Sequence, residues 1–251
     1  MKTERVRVIG LDFATDEEKR GLATGVFEDG QMTVRDARVC SEARTAQAKI
    51  ADFLKQDEGT ALLAIDAPLG WPLNMSMLLP SHHAGDLIGC NSDEFVSRVT
   101  DRWITTRVGK KPLNIGADLI AWTALEALRF LSLVEARLVW GPHWDCALGA
   151  IEVYPAATLK SWKIRFQKYK KHDHTPARRE IVAALRAQMD LGADTTLLET
   201  NADALDAVVC LLAARDFLNG QAPGPEQKAT AEKEGWIWCR LPEERSEGTD
   251  N

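Results

Sequence analysis

The sequence predicts an α/β fold, in which helices pack on a mixed β-sheet. Three strand-like segments come first and are joined by short connections, which predicts a meander. Helix-like and strand-like segments then alternate, a pattern of α/β or α+β proteins with a mixed sheet. The 251 residues, 45% of them hydrophobic, suffice for one substantial core. We therefore expect a single domain over residues 1–242 and a disordered tail over 243–251.

The first half of the chain contains the predicted meander, one helix and one buried strand. RVRVIGLDFA alternates and then becomes apolar, which predicts a strand that ends near Asp12. Two β-prone runs flank Asp29 and Gly30, a strong signal for a β-hairpin. Residues 41–59 predict a helix. Residues 60–66 form a continuous apolar run stopped by proline, which suits a strand buried on both faces.

The second half of the chain begins with an inserted region. Residues 68–114 are rich in proline and glycine, and a loop of this length is usually functional or disordered. Residues 115–139 predict a long amphipathic helix, whose apolar surface could support a homodimer. Residues 147–157 predict a second buried strand. Helices are expected over 175–189 and from 200 onward.

Composition and charge exclude several classes of protein. The five cysteines are scattered without CxxC spacing, which argues against a zinc site or a disulfide framework and for a reducing compartment. The N-terminus is not a signal peptide, and no apolar run could span a bilayer. We therefore expect a cytoplasmic protein without a membrane partner. The net charge of -6 counts against a general nucleic-acid binder unless the basic residues are clustered.

Acidic residues follow the ends of the predicted strands. Asp12, Asp66 and Glu152 each end an apolar strand, and Asp203 and Asp206 stand one turn apart at the head of an apolar helix. Sites in open α/β sheets form outside the carboxyl ends of the strands. Carboxylates that converge there need a counter-charge, which Mg²⁺ or Mn²⁺ would supply. The sequence therefore predicts a divalent-metal site.

Each acid also has an ordinary structural interpretation. Asp203 and Asp206 could be first-turn acids, which the helix dipole favours by about 0.3–1 kcal/mol, with Asn201 as the cap. Asp66 before Ala-Pro could be a turn residue at the end of its strand. Glu152 could pair with a basic neighbour. The five acids together are more specific than any one of them.

Taken together, these motifs resemble the ribonuclease H-like superfamily. An aspartate ends the first strand, an acid ends the fourth, and the DxxD on the last helix is most similar to the RuvC-type resolvase branch. Over nearly its whole length the chain resembles the domain-of-unknown-function family 429 (DUF429), described as predicted nucleases. The motifs that carry the resemblance are GLDFA (10–14), AIDAPLGWP (64–72), RVTDR (98–102), IEVYPAA (151–157), DALDAVVCLLAA (203–214) and EGWIW (234–238).

The resemblance implies a ribonuclease H-like fold, with a five-stranded mixed sheet in the order 3-2-1-4-5 and helices on both faces. It implies Asp12, Asp66 and Asp206 as ligands of Mg²⁺ or Mn²⁺, with Asp203 and Glu152 as further catalytic candidates. The RuvC pattern has a glutamate where Asp66 stands, and Glu152 is an additional acid. The number of metal ions therefore stays open.

Two basic segments are candidates for contact with a nucleic-acid backbone. Residues 160–179 contain eight Lys or Arg against one Asp and interleave three aromatic residues that could stack on bases. Residues 98–111 add five basic residues. The same residues could instead only solvate a helix and a loop, and Arg98 could pair locally with Asp101. The candidate substrate-binding residues are Arg98, Asp101, Arg102, Tyr154, Lys168, Lys170 and Lys171.

The expected function is that of a metal-dependent nuclease, a hydrolase of phosphodiester bonds in DNA or RNA. A nucleotide- or phosphometabolite-binding enzyme of the actin-like kinase branch is one alternative, but no glycine-rich phosphate loop follows Asp12. A catalytically dead binding or regulatory protein is another. In that case internal Arg or Lys would satisfy the acids, and no metal would bind.

Overall fold

Six strands form one mixed sheet in the computed structural model, which describes residues 5–56, 59–115, 119–171 and 173–243. The strands are β1 (Val6–Asp12), β2 (Gly21–Glu28), β3 (Gln31–Val39), β4 (Ala61–Asp66), β5 (Arg137–Leu138) and β6 (Leu148–Glu152). They lie in the order β3-β2-β1-β4-β6-β5. β2 runs antiparallel to β1 and β3, whereas β4, β6 and β5 run parallel to β1.

The sheet corrects the expected count of five strands. The order β3-β2-β1-β4-β6 matches the expected order 3-2-1-4-5, and β5 extends the sheet as an additional edge strand. β5 falls within residues 115–139, which were expected to form one helix. That helix ends at Leu133, and Glu135 turns the chain with a left-handed φ of 56°. A strand of two residues is too short to carry a period, so periodicity could not predict it.

Helices cover both faces of the sheet and occur in the insertion. They are α1 (Ala46–Lys55), α2 (Leu73–Leu78), α3 (Ser92–Val96), α4 (Val99–Arg107), α5 (Leu119–Leu133), α6 (Pro155–Ser161), α7 (Thr175–Arg186), α8 (Thr196–Thr200), α9 (Ala202–Leu218) and α10 (Lys228–Glu234). Helices α7 and α9 pack on one face, and α1 and α5 pack on the other. The region 68–114, expected to be irregular, contains α2, α3 and α4. Among the described residues, no helix has both the length and the apolar character needed to cross a bilayer.

Several expectations fall partly outside the described residues: the predicted helix over 41–59 includes residues 57 and 58, and the basic segment over 160–179 includes residue 172. The predicted helix over 115–139 includes residues 116–118, which the structure does not describe. The tail predicted over 243–251 is described only at Glu243.

Strands β1, β2 and β3 form the predicted meander. The turn between β2 and β3 lies at Asp29 and Gly30, with φ of 53° and 77°. A positive φ at both central residues is the conformation of a type I′ turn, which glycine adopts without strain and aspartate tolerates. The hairpin predicted at this position is confirmed.

Helix α9 crosses one face of the sheet at very short range. A Cβ atom on Gly10 of β1 would lie 2.1 Å from the carbonyl oxygen of Ala207, and one on Gly21 of β2 would lie 1.8 Å from that of Asp203. Glycine at these two positions therefore lets the backbone of α9 touch the strands. The helix begins at Asn201, whose side chain accepts a hydrogen bond from the backbone amide of Ala204. The first turn of α9 is thereby placed against the end of β1.

We predict that Gly10→Ala destabilises the fold by about 1–3 kcal/mol or more, because the new methyl group forces α9 away from the sheet. Urea denaturation followed by circular dichroism measures this loss. Gly141→Ala is the matched control, since a Cβ there would meet no atom within 4 Å. Equal stability of the two variants would contradict the close helix–sheet contact.

Candidate functional site

Three aspartates meet at the carboxyl edge of the sheet on the side of α9. The parallel register of β1 and β4 pairs Asp12 with Asp66, each the last residue of its strand. Asp206 lies in the first turns of α9 and is 0% exposed. Burial, and then the negative charges of Asp206 and Asp66, raise the pKa of Asp12 well above its usual value. Burial also raises the pKa of Asp66 to about 7, with Lys170 opposing the rise and Asp206 adding to it.

Asp206 is held by two neighbouring residues of the segment between α6 and α7. The hydroxyl of Tyr169 donates to Oδ1 over 2.8 Å, and Nζ of Lys170 lies 2.6 Å from Oδ2. Burial opposes the charge on Lys170, but the three carboxylates outweigh it and raise the pKa of the ammonium. Lys170 is therefore the cation that balances the acidic cluster in this structure.

Asp203 lies beside this cluster. It is partly buried, one turn before Asp206, and its carbonyl oxygen is the atom that faces Gly21. Burial and the charge of Asp206 raise its pKa. Neither Asp203 nor Asp206 lines the cleft described below, and the charge of Asp203 adds to the rise in the pKa of Asp12.

Glu152 ends its strand as Asp66 does, but its side chain belongs to the opposite face of the sheet. Alternation along β6 places Glu152 on the side of Ala150, which packs in the core with Ile65. Arg98 donates from Nη2 to Oε1 over 2.7 Å and from Nη1 to Oε2 over 2.9 Å. The backbone amide of Leu69 donates to Oε2 over 3.0 Å. Both oxygens of Glu152 are thus engaged within the protein.

Arg98 is the centre of a buried ionic cluster. Its side chain is 2% exposed and donates to both oxygens of Asp101, from Nη2 over 2.9 Å and from Nε over 3.1 Å. The two carboxylates overcome the effect of burial and raise the pKa of the guanidinium. Burial raises the pKa of Glu152, and Arg98 opposes that rise. Arg98, Asp101 and Glu152 therefore form one bidentate network that joins α4 to β6.

Glu234 belongs to the same region and was not singled out from the sequence. Its carboxylate accepts hydrogen bonds from the backbone amides of Leu73, over 2.7 Å, and Val99, over 2.5 Å. Its carbonyl oxygen accepts from Nη1 of Arg98 over 3.2 Å. Gly235 follows with a left-handed φ of 84°, and a Cβ there would lie 2.9 Å from Oε2 of Glu152. The Glu-Gly pair in the EGWIW motif was the available signal.

A cleft of about 740 Å³ opens over Asp12 and Asp66, whereas Asp206 does not line it and is held by Tyr169 and Lys170, which do. Asp12 and Asp66 lie in its lining, and Arg98 and Glu152 contribute to its wall. Its cationic and aromatic lining residues are Lys110, Lys168, Lys170, Lys171, Phe13, Tyr154, Phe166 and Tyr169. Burial, with the charge of Asp66, raises the pKa of Tyr154 to about 12. The cleft therefore combines negative charge at its base with ammonium groups and flat apolar surfaces around it.

The remaining substrate-binding candidates lie elsewhere. Nη1 of Arg102 donates to the carbonyl oxygen of Ser97 over 2.6 Å, and both Arg102 and Asp101 line a separate pocket of about 210 Å³. The structure thus brings Tyr154, Lys168, Lys170 and Lys171 together in the cleft. It does not bring Arg102 or Asp101 into it.

The donor chemistry of the three aspartates fits a hard divalent cation. Carboxylate oxygens are the ligands that Mg²⁺ and Mn²⁺ prefer, and the crowded negative charge that raises the pKa values of Asp12 and Asp66 calls for a cation. Across the described residues, however, no three Asp, Glu, His or Cys side chains are arranged to hold a metal ion. Lys170 instead stands against Asp206. The donors fit the metal, whereas the arrangement in the structure is that of a lysine-paired carboxylate.

Fold and site define an α/β protein with an acidic cluster at the carboxyl edge of its sheet and a lysine-lined cleft above it. The chain belongs to the family described as protein of unknown function DUF429, which matches residues 10–230. A solved structure of T. thermophilus RuvC in complex with Holliday junction substrate is similar at 11% sequence identity and a TM-score of 0.36. The match covers 88% of this chain and 99% of that chain. No curated protein matches the sequence.

We predict that Arg98→Met lowers the free energy of unfolding by about 3–5 kcal/mol, because it leaves two buried carboxylates without their cation. Arg102→Met is the matched control and should cost about 1 kcal/mol, the value of one hydrogen bond to a backbone carbonyl. Guanidinium denaturation of the two variants and the wild type measures both losses. Similar losses in the two variants would contradict the role given to the buried cluster.

We predict that Asp66→Asn stabilises the protein above pH 7 and leaves its stability unchanged near pH 4. Between the ordinary pKa of 3.8 and the raised value of about 7, folded Asp66 keeps a proton that the unfolded chain has lost. The wild type therefore loses stability as pH rises through this window. Asparagine copies the protonated acid, and in this open cleft the gain should be on the order of 1 kcal/mol.

Thermal unfolding of Asp66→Asn and wild type from pH 4 to pH 8, in chelator, tests this prediction. A difference between the two proteins that does not grow with pH would contradict the raised pKa.

Proposed function

We propose that this protein is a divalent-metal-dependent hydrolase of phosphodiester bonds in nucleic acid. The observation that carries the proposal is the convergence of Asp12, Asp66 and Asp206 at the carboxyl edge of the sheet, where a lysine-lined cleft opens over Asp12 and Asp66. We also assign the sheet to the ribonuclease H-like type, because five of its strands keep the order 3-2-1-4-5. Fold alone does not give activity, so the proposal depends on the site.

Asp12, Asp66 and Asp206 would hold Mg²⁺ or Mn²⁺ in this proposal. The bound cation supplies charge stabilisation at the phosphoryl group and makes a water molecule more acidic. Asp12 and Asp66 are fixed by their strands, and the hydroxyl of Tyr169 orients Asp206 through Oδ1. The carboxylates are thus positioned by rigid elements, which is what precise catalytic geometry requires.

Glu152 acts as a positioning residue rather than a ligand in this proposal. Its two oxygens are engaged by Arg98 and by the amide of Leu69, on the face of the sheet opposite Asp66. Leu69 lies three residues after Asp66 in the chain. Its bond to Glu152 therefore fixes the backbone that follows Asp66. Asp203 adds negative charge near Asp206 and Asp12 and is not assigned a contact with substrate.

The cleft lining suits a polyanion with flat bases. Lys110, Lys168 and Lys171 present ammonium groups that would neutralise backbone phosphates. The rings of Tyr154 and Phe166 offer surfaces on which unpaired bases could stack. A nucleic acid with accessible single-stranded character is therefore the proposed substrate class.

A binding protein without catalysis is the second candidate. It is favoured by one observation, that internal cations already satisfy two of the predicted acids, Lys170 on Asp206 and Arg98 on Glu152. In that case the cleft would bind nucleic acid with no metal and no cleavage.

We predict that the wild type cleaves at least one member of a panel of labelled DNA and RNA, single-stranded, duplex and branched, in Mg²⁺ or Mn²⁺. Asp12→Asn should lower the rate on the order of 100-fold or more, because several kcal/mol of charge stabilisation are lost. Asp16→Asn is the matched control, the same substitution at an exposed acid outside the cleft.

Circular dichroism of each variant confirms that loss of rate is not loss of fold. Cleavage that survives Asp12→Asn would refute the assignment. Metal-independent binding of the panel without cleavage would favour the second candidate.

A further inference from the structure

The ammonium of Lys170 lies beside Asp206, where the proposed function would place a divalent metal ion. Its Nζ lies 2.6 Å from Oδ2 of Asp206, while the other oxygen of that carboxylate accepts from Tyr169. A divalent ion bound to the same carboxylate would stand within a few ångströms of this ammonium. Like charges at that distance repel strongly where water is partly excluded. Lys170 and a divalent cation therefore compete for Asp206.

The backbone on both sides of Lys170 is fixed. Nη1 of Arg178, which is 1% exposed, donates to the carbonyl oxygen of Tyr169 over 2.6 Å and to that of Lys171 over 2.7 Å. The peptide group before Lys170 and the one that follows Lys171 are thus bonded to α7. Any change in the position of the ammonium must come from rotation of the side chain.

The side chain of Lys170, by contrast, lies mostly in solvent. It is 60% exposed although its ammonium reaches a carboxylate that is 0% exposed. Exposed side chains change rotamer in picoseconds to nanoseconds. Lys170 lines the same cleft as Lys168 and Lys171, so its ammonium lies where a phosphate would be expected.

We propose that Lys170 is a resident counter-cation, which Asp206 exchanges for a divalent cation while the phosphodiester of the substrate takes up the released ammonium. The inference rests on the proposed function and describes how the metal ion and the substrate would bind at that site. In the exchange, a single positive charge leaves the acids and a double charge enters, and the displaced ammonium gains an anionic partner. Metal ion and nucleic acid therefore promote each other's binding, by the same factor in both directions.

The proposed exchange predicts a change in metal affinity, which can be measured without catalysis. Without nucleic acid, Lys170→Met should bind Mn²⁺ roughly tenfold more tightly than the wild type, the order expected when one competing charge-assisted bond is removed. Lys168→Met is the matched control, because Lys168 lines the same cleft but has no ion pair within the described residues. It should bind Mn²⁺ as the wild type does.

Calorimetric titration of Mn²⁺ into the three full-length proteins measures these affinities. Lys170→Gln provides a second variant in case Lys170→Met does not fold, as judged by circular dichroism. A repeat with a phosphorothioate oligonucleotide, which keeps the backbone charge and resists cleavage, tests the coupling. The oligonucleotide should tighten Mn²⁺ binding to the wild type about tenfold and to Lys170→Met much less.

Failure of the proposed exchange can be distinguished from failure of the proposed function. If the wild type binds Mn²⁺ saturably and neither Lys170 variant binds it more tightly, the exchange is refuted and the proposed metal site stands. If the oligonucleotide tightens binding equally in wild type and Lys170 variants, the coupling through Lys170 is refuted. If no protein binds Mn²⁺ with or without oligonucleotide, the proposed function itself fails.

Discussion

The contact between helix α9 and the glycines of β1 and β2 is the constraint on which the candidate site depends. At Gly10 and Gly21 the carbonyl oxygens of α9 stand where side chains would otherwise be. This short range brings Asp206, on the helix, close enough to Asp12, on the strand, for its negative charge to raise the pKa of Asp12. A larger residue at either position would lift the first turns of α9 and separate the carboxylates. Two residues without side chains thus determine where the acidic side chains lie.

The same close packing brings together more carboxylates than cations. Asp12 and Asp66 are held in surroundings that raise their pKa values, and Lys170 is the cation paired with the cluster. A fold selected only for stability would replace such residues, since a buried unpaired carboxylate costs free energy. Strongly perturbed carboxylates in a cleft are instead typical of functional sites. The proposed function accounts for this cost, because a cation or substrate would join the site from outside.

Two cations pair with carboxylates at this edge of the sheet, and their chemistry differs. Arg98 is buried and makes bidentate bonds to two carboxylates, so its planar group fixes the geometry of the insertion against β6. Lys170 approaches one oxygen with a point charge on a flexible, largely exposed stem. The first arrangement should resist exchange, whereas the second suits the exchange proposed for Lys170. Position alone would not distinguish the two pairs, because both lie at the same edge of the sheet.

The sequence predicted much of this fold, and what it missed has a physical cause. The hydrophobic pattern of the chain, together with the Asp29-Gly30 pair, located the hairpin, the strands that end at Asp12 and Asp66, and the buried helix, because each contains a long β-prone or apolar run. It could not locate the two-residue β5. Glu152 shows a subtler limit: it ends an apolar strand as Asp66 does, yet alternation sends the two side chains to opposite faces. In a strand that is apolar on both faces, the pattern carries no information about which face a terminal acid will meet. The partners of Glu152 and Asp206 come from α4 and from the segment before α7, far away in the chain, so only the packed structure assigns Arg98 to one and Lys170 to the other.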